Sequence, residues 1–281
     1  MLASMRVVGE QARVLITVKA TPQPSEKYGD TTCVAGIRLD GDRPSWIRLY
    51  PIAFRWLDGA SQFHKYDVID LEVRRRDSDT RAESYSPTEA SWTVVDHLPP
   101  WKARHEIVSQ VTPTSTCELS RAAALSGGAP SLGLVYPTEM WDLEFEPHPK
   151  WTSEQLAKMQ DRITKESSAL IPVNGAIPAI LKEPRFKVRY RYKCSESDCR
   201  SHVGRILDWE LTAFQNRIGG TDQDLKEAII KKFREQMFGP DRRSGFFMGN
   251  FELAARRSKF SVLGVYWPTA KDSMPPALTL F

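Results

Sequence analysis

Arg13-Val-Leu-Ile-Thr-Val-Lys19, Thr31-Thr-Cys-Val-Ala-Gly-Ile37, Trp46-Ile-Arg-Leu-Tyr50 and Tyr66-Asp-Val-Ile-Asp-Leu-Glu-Val73 are four short runs rich in β-branched and aromatic residues. The first is apolar enough for a buried strand. A Pro- and Gly-containing loop, Thr21 to Asp30, separates it from the second. Gly41-Asp42 marks a turn before the third, which ends at Pro51. The fourth carries Val68, Ile69, Leu71 and Val73 as its apolar positions. Short strands between turn signals predict a small barrel or sandwich.

Outward from this block the pattern changes. Trp101 to Val111 predicts a helix ended before Pro113, Ser126-Gly-Gly-Ala-Pro130 a loop, and Leu132-Gly-Leu-Val135 a short strand. A helix follows Trp151, capped by Thr152 or Ser153 with Glu154 and Gln155 in its first turn. Pro172 and Pro178 bound a loop containing Asn174-Gly175. Thr221 or Asp222 starts another helix, Leu225 to Phe238, with Leu225, Ile229, Phe233 and Met237 on one face, stopped by Gly239-Pro240. Gly245–Gly249 and Phe260–Tyr266 predict two late strands. No internal repeat is visible. The expectation is an α+β protein in two domains: a β-rich, barrel-like (OB-like) region over residues 1–150 and a basic α+β region over 151–281.

A hydrophobic fraction of 41% with eight Trp supports a real core and argues against bulk disorder. No run reaches the roughly 20 apolar residues of a membrane span, and the N-terminal residues lack the apolar core of a signal peptide. Four cysteines in 281 residues give no small-scaffold disulfide pattern, so a cytoplasmic setting is expected. Charge is asymmetric. Residues 1–150 hold 17 Lys+Arg against 20 Asp+Glu, and residues 151–281 hold 22 against 15. An electrostatic docking face therefore belongs to the second half.

Arg185-Phe-Lys-Val-Arg-Tyr-Arg-Tyr-Lys193 alternates without a break. Arg185, Lys187, Arg189, Arg191 and Lys193 fall on one face of a strand, and Phe186, Val188, Tyr190 and Tyr192 on the other. Five cations on one face repel each other unless solvent or an anion compensates. Phosphates would do so with counterion release, and guanidinium matches phosphate bidentately. The competing explanation is a solvated edge strand guarded by charge. Arg200, Arg205, Arg242, Arg243, Arg256, Arg257 and Lys259 add cations. Of these, Arg205, Arg242, Arg243, Arg256 and Arg257 join the β-strand cations as candidate nucleic-acid contacts. Phe246, Phe247, Phe251 and Trp267 lie nearby in sequence, but most such aromatics belong in a core.

Cys194-Ser-Glu-Ser-Asp-Cys199-Arg-Ser-His202 places three metal-ligand types within nine residues, a spacing suited to a zinc knuckle at a hairpin tip. Asp198, Cys33, Cys117 and His148 are the candidates for a fourth ligand; two free thiols in a loop is the alternative. Ile206-Leu-Asp-Trp-Glu210 follows directly. Asp208 and Glu210 are candidate catalytic carboxylates beside the cations; the competing role is a helix cap plus a salt bridge. There is no P-loop, G-x-G-x-x-G, G-x-S-x-G or H-E-x-x-H motif.

The runs Val14-Leu-Ile-Thr-Val18, Cys33-Val-Ala-Gly-Ile37, Trp46-Ile-Arg48 and Ser131-Leu-Gly133 resemble the bacterial dual OB-containing domain over about residues 13–145. The resemblance implies small β-barrels that bind single-stranded nucleic acid or nucleotides. The chain departs from that pattern in its Thr21–Asp30 loop and in Leu-Tyr-Pro after Trp-Ile-Arg. The second half, with C-x4-C-x2-H, I-L-D-W-E and Phe246-Phe-Met-Gly249, is similar to bacterial proteins whose contexts imply DNA modification or phage defence. The leading expectation is a nucleic-acid-binding protein, DNA favoured, that senses modified or unpaired bases in anti-phage defence. The alternatives are a DNA glycosylase excising modified bases, with a nuclease less favoured, and a protein-interaction module of a larger complex.

Overall fold

The computed structural model describes residues 9–25, 29–57, 62–88, 92–167 and 179–273. The loop expected between Pro172 and Pro178 lies outside them.

The first half closes into a barrel. Its strands are β1 (Glu10–Lys19), β2 (Gln23–Ser25), β3 (Gly29–Arg38), β4 (Ser45–Ile52), β5 (Asp67–Arg75), β6 (Ser84–Pro87) and β7 (Thr93–His97). The circuit runs β1–β3–β4–β6–β5 and back to β1. Pair β4/β6 is parallel; every other pair in the ring is antiparallel. β2 pairs with β3 and β7 with β5, outside the ring. Val14, Ile16, Val34, Ile47, Leu49, Phe63, Ile69 and Leu71 fill the interior. Gly36 sits where β3 presses on β1, and a Cβ there would come 2.3 Å from the Leu15 carbonyl oxygen.

The second half repeats the circuit. After α1 (Lys102–Val108) and α2 (Thr116–Leu125) come β8 (Leu132–Val135) and β9 (Glu139–Pro147). These are two halves of one bent strand, broken at Tyr136-Pro137-Thr138, where proline cannot donate to the ladder. Then follow α3 (Ser153–Ser167), β10 (Phe186–Lys193), β11 (His202–Arg205), α4 (Trp209–Arg217), α5 (Asp222–Ile229), β12 (Gly245–Asn250) and β13 (Phe260–Tyr266). β9 pairs with β10, β10 with β11, β12 with both β13 and β8, all antiparallel. A parallel bridge, Ile206 to Val262, joins the end of β11 to β13. The order β8/β9–β10–β11–β13–β12–β8 is that of the first barrel, parallel contact included. Both halves thus have the connectivity of the OB-fold, a five-stranded Greek-key barrel. Helices α4 and α5 are an excursion between its third and fourth strands.

Two expectations change. The sequence shows no repeat, yet the fold is duplicated. Strands β8 and β9 pair only with second-half strands, so the division falls near residue 110, not at 150. The helix starts where Thr221 or Asp222 was expected to open it, with Thr221 and Asp224 forming a capping box, and continues past Ile229 as a π-helical segment to Gln236. Leu225, Ile229, Phe233 and Met237 are all buried, as their spacing predicts.

The barrels meet through outer faces. Leu15, Ala35, Ile37 and Val68 of the first share a buried cluster with Leu132, Leu134, Phe247, Leu263 and Tyr266 of the second. Trp46 packs edge-on against Phe247, ring centres 6.1 Å apart. Arg48, 3% exposed, donates to the Ser131 carbonyl oxygen at 3.0 Å and to Cys33 Sγ at 3.3 Å. Glu83 accepts from the Ser131 amide and hydroxyl. Cys33, Trp46, Arg48 and Ser131 come from the short motifs quoted above; in three dimensions they form the joint between the barrels.

Candidate nucleic-acid interface and metal-ligand cluster

Strands β10 and β11 are the second and third strands of the second barrel. Phe186, Val188, Tyr190 and Tyr192 point into its core. The intervening cations point outward, as the alternation predicts. Arg189 and Arg205 are directly opposite, as are Arg191 and Val203.

The cations are not bare. Strand β9, on the other side of β10, carries Glu139, Glu144 and Glu146 on the same outer face. Glu146 accepts from Arg189 and, at 3.1 Å, from Lys187. Lys193 meets Glu139 at 2.9 Å, and Arg191 lies 3.9 Å from Glu144. Arg185, just before the strand, pairs with Asp222 at the start of α5. Hydrogen bonds from Arg189 and Lys187 hold the Glu146 carboxyl below the usual carboxylate range. The row of five cations is thus compensated from within the fold, as a cation–carboxylate ladder. The acidic alternation Glu144-Phe-Glu146 was the available sequence signal.

Arg205 and Arg256 differ. Neither makes an ion pair among the described residues. Burial, then repulsion from Arg189 and Arg256, lowers the pKa of Arg205. Arg256 is exposed in the loop between β12 and β13, beside Leu253, which is 62% exposed. Val203, 48% exposed, sits at the centre of the face. Half-buried Trp141 lies under Lys193, whose Nζ is 5.7 Å from the ring centre.

The other expected contacts are elsewhere. Arg257 bonds Thr80, the Gly127 carbonyl and the Glu252 carbonyl, linking the corresponding loops of the two barrels. Arg242 stacks on Trp267, 4.9 Å from the ring centre, and donates to its carbonyl oxygen. Arg243 follows it, with its amide on the Pro268 carbonyl. Phe246 and Phe247 are core residues.

Asp208 caps α4, accepting from the Glu210 amide at 2.9 Å. It also contacts Lys65 of the first barrel at 2.7 Å, and the side chains are 3% and 7% exposed. Burial and the neighbouring Glu210 hold the Asp208 carboxyl above the usual carboxylate range, with Lys65 and the Glu210 amide opposing the rise. Glu210 lies 3.4 Å from Lys65, which holds its carboxyl below the usual range. These carboxylates act as a helix cap and an ion pair between barrels. Nearby Lys19, also buried, donates to the Phe63 carbonyl oxygen at 3.1 Å and lies over the Phe54 ring. Burial and Lys65 lower its pKa to about 8.

At the far end of the β10–β11 hairpin, Cys194, Cys199 and His202 converge with Cys117 of α2; the ligand atoms all lie within 4.8 Å of one another. His202 Nε2 is 3.3 Å from Cys194 Sγ and 3.4 Å from Cys117 Sγ. Of the four candidates for a fourth ligand, the fold selects Cys117. Burial and the neighbouring sulphurs push the Cys117 thiol up to about 12. The group can bind a metal ion.

Residues 112–281 match the family model described as domain of unknown function DUF8757. The chain belongs to the DUF8757 family. Residues 10–110, the first barrel, match a second model, domain of unknown function DUF8758. The DUF8757 segment thus begins between α1 and α2 and contains the whole second barrel. No curated protein matches the chain. Among solved structures, a murine DNA-binding protein bound to double-stranded DNA aligns with 92% of this chain and 97% of its own, at 7% identity and TM-score 0.30. A replication protein A heterotrimer bound to single-stranded DNA aligns with 99% of this chain and 52% of its own, at 11% identity and TM-score 0.34.

Proposed function

We propose that the protein binds nucleic acid, DNA in the first instance, through the β10–β11 face of the DUF8757 barrel. The observation that carries this reading is position. In barrels of this connectivity, oligonucleotides bind on the face of the second and third strands and the flanking loops. Here that face holds Lys187, Arg189, Arg191, Lys193 and Arg205, with Arg256 on the loop between the fourth and fifth strands. The equivalent face of the first barrel, with Ala35, Ile37, Trp46 and Arg48, is buried against the second barrel. Ligand access is thus confined to one barrel.

The chemistry favours phosphate contact over base reading. Guanidinium and ammonium groups outnumber stacking rings, with Trp141 the aromatic at the margin. Exposed Val203 and Leu253 can touch sugar or base edges. Arg205 and Arg256 repel each other and make no ion pair among the described residues, so they gain most from an anion. Lys187, Arg189, Arg191 and Lys193 must exchange a glutamate for a phosphate, which moderates affinity and keeps the face from holding any anion tightly. Binding is expected to tolerate sequence and to weaken steeply with salt. Base excision draws no support from this geometry, because Asp208 is buried and Glu210 is tied to Lys65. Defence against phage draws none either.

The test is fluorescence anisotropy with labelled single- and double-stranded DNA across a salt series. Arg205→Glu/Arg256→Glu should cost at least about tenfold in affinity and flatten the log–log salt dependence by roughly two units, about 0.9 per lost phosphate contact. A wild-type chain that binds neither ligand at low salt, or a double variant with unchanged slope, would rule the face out. Co-purification with an acidic protein instead would favour the interaction-module alternative.

A further inference from the structure

The Cys–His cluster is independent of that reading. It draws on two parts of the chain far apart in sequence. Cys194 directly follows β10, Cys199 lies in the hairpin loop, His202 opens β11, and Cys117 is in the first turn of α2. All four cysteines of the chain are free thiols, and three of them are here. Packing three thiols and an imidazole nitrogen together has no apolar rationale, since the same volume could be filled by Leu or Val without buried polar atoms.

A tetrahedral metal supplies the rationale. With metal–sulphur bonds of about 2.3 Å and metal–nitrogen bonds of about 2.0 Å, ideal angles put sulphur and nitrogen ligands about 3.5 Å apart and two sulphurs about 3.8 Å apart. The observed sulphur–nitrogen distances of 3.3 and 3.4 Å fall close to this. A donor set of three thiolates and one imidazole, with no carboxylate, suits zinc in a closed structural site.

The surroundings are built for it. The Cys194 sulphur accepts the backbone amides of Glu196 and Cys117. The Glu196 carboxylate receives Ser115 Oγ at 3.0 Å and Arg121 at 2.7 Å, so the loop is already docked on α2. The Glu196 carbonyl oxygen accepts the Cys199 amide at 3.1 Å. Thr138 holds the Cys194 and Lys193 carbonyls, and the Tyr192 hydroxyl bonds Thr116 beside Cys117. Such outer contacts orient ligands and favour binding.

We propose that Cys117, Cys194, Cys199 and His202 hold one structural Zn²⁺ ion that staples helix α2 to the tip of the β10–β11 hairpin. The ion would cross-link residues far apart in the chain, a constraint that favours the folded barrel by shrinking the unfolded ensemble. Resting on the proposed nucleic-acid reading, it also fixes one end of the ligand face, because Lys193 precedes Cys194 and Val203 follows His202.

The experiment measures metal content of the full chain by plasma mass spectrometry, then follows Co²⁺ replacement by visible absorption, without nucleic acid present. The expected result is one zinc per chain, a cobalt spectrum of tetrahedral, thiolate-rich type, and a fall in Tm on chelation. Cys117→Ser and Cys199→Ser should lose stoichiometric metal, while Cys33→Ser, outside the cluster, should keep it. Should Cys117→Ser fail to fold, chelated and reduced wild-type protein titrated with Co²⁺ gives the same readout. A wild-type chain that takes up neither zinc nor cobalt, or a Cys117→Ser variant with the wild-type cobalt spectrum, overturns the site. Metal loss that lowers Tm but leaves DNA affinity intact overturns only its link to the ligand face.

Discussion

Glu146→Gln should make the protein bind nucleic acid more tightly. The carboxylate accepts from both Arg189 and Lys187 at the centre of the cationic face. Phosphate arriving at Arg189 must displace it or approach to roughly 7 Å of its charge. At that separation, with an effective dielectric between about 40 and 80, removing one unit of repulsion raises the association constant roughly three- to sevenfold. The pair is within a Debye length at physiological salt, so screening weakens the effect without abolishing it. The log–log salt slope should steepen by up to about 0.9, one further counterion released. Exposed ion pairs contribute little to stability, so Tm should hardly move. The assay is anisotropy of a labelled duplex against salt, beside thermal melts and Glu154→Gln on helix α3 as a remote control. Unchanged or weaker binding by a normally folded Glu146→Gln would refute the idea that β9 competes with phosphate for these cations.

Asp208→Asn removes the partner of a buried Lys65 and should cost about 3 kcal/mol, a drop in Tm of roughly 6–12 °C; nucleic-acid affinity measured well below Tm should be unchanged. A catalytic Asp208 would give the reverse, a stable variant lacking activity. Lys19→Met tests the buried ammonium. The folded-state value of about 8 lies below the usual 10.5, so the unfolded chain binds the extra proton between those limits, and wild-type stability from this group rises across that window. Lys19→Met should therefore be more stable than wild type by about 1–3 kcal/mol below pH 8, and the advantage should fade towards pH 10.5. A Tm difference independent of pH would show that Lys19 is stabilised as a cation by Phe54 and the nearby carboxylates. Arg48→Ala, which leaves Ser131 and Cys33 without their shared donor, should loosen the joint between barrels and lower Tm by several degrees. Unaltered melting would remove Arg48 from that role.

The sequence alone determined what local periodicity can encode. Strand alternation placed Phe186, Val188, Tyr190 and Tyr192 in a core and the cations outside, because successive side chains of a strand face opposite ways. Four-residue spacing put Leu225, Ile229, Phe233 and Met237 on the buried side of a helix. The C-x4-C-x2-H run identified three members of the Cys–His cluster because hairpin neighbours are close in sequence and in space.

What remained was decided by contacts between distant segments. The duplication of the barrel was hidden because the second copy breaks its first strand at Pro137 and inserts α4 and α5 before its fourth. Cys117 joined the Cys–His cluster only when α2 docked on the hairpin. Asp208 became a partner of Lys65 only when the barrels met. The cationic strand is the sharpest case. Its charge was legible from Arg185 to Lys193, but its neutralisation depended on the register of β9, some 40 residues earlier, opposite β10. Register is set by which apolar faces share a core. That three-dimensional choice turned a row of repelling cations into a ladder, with Arg205 and Arg256 at its edge making no ion pair among the described residues.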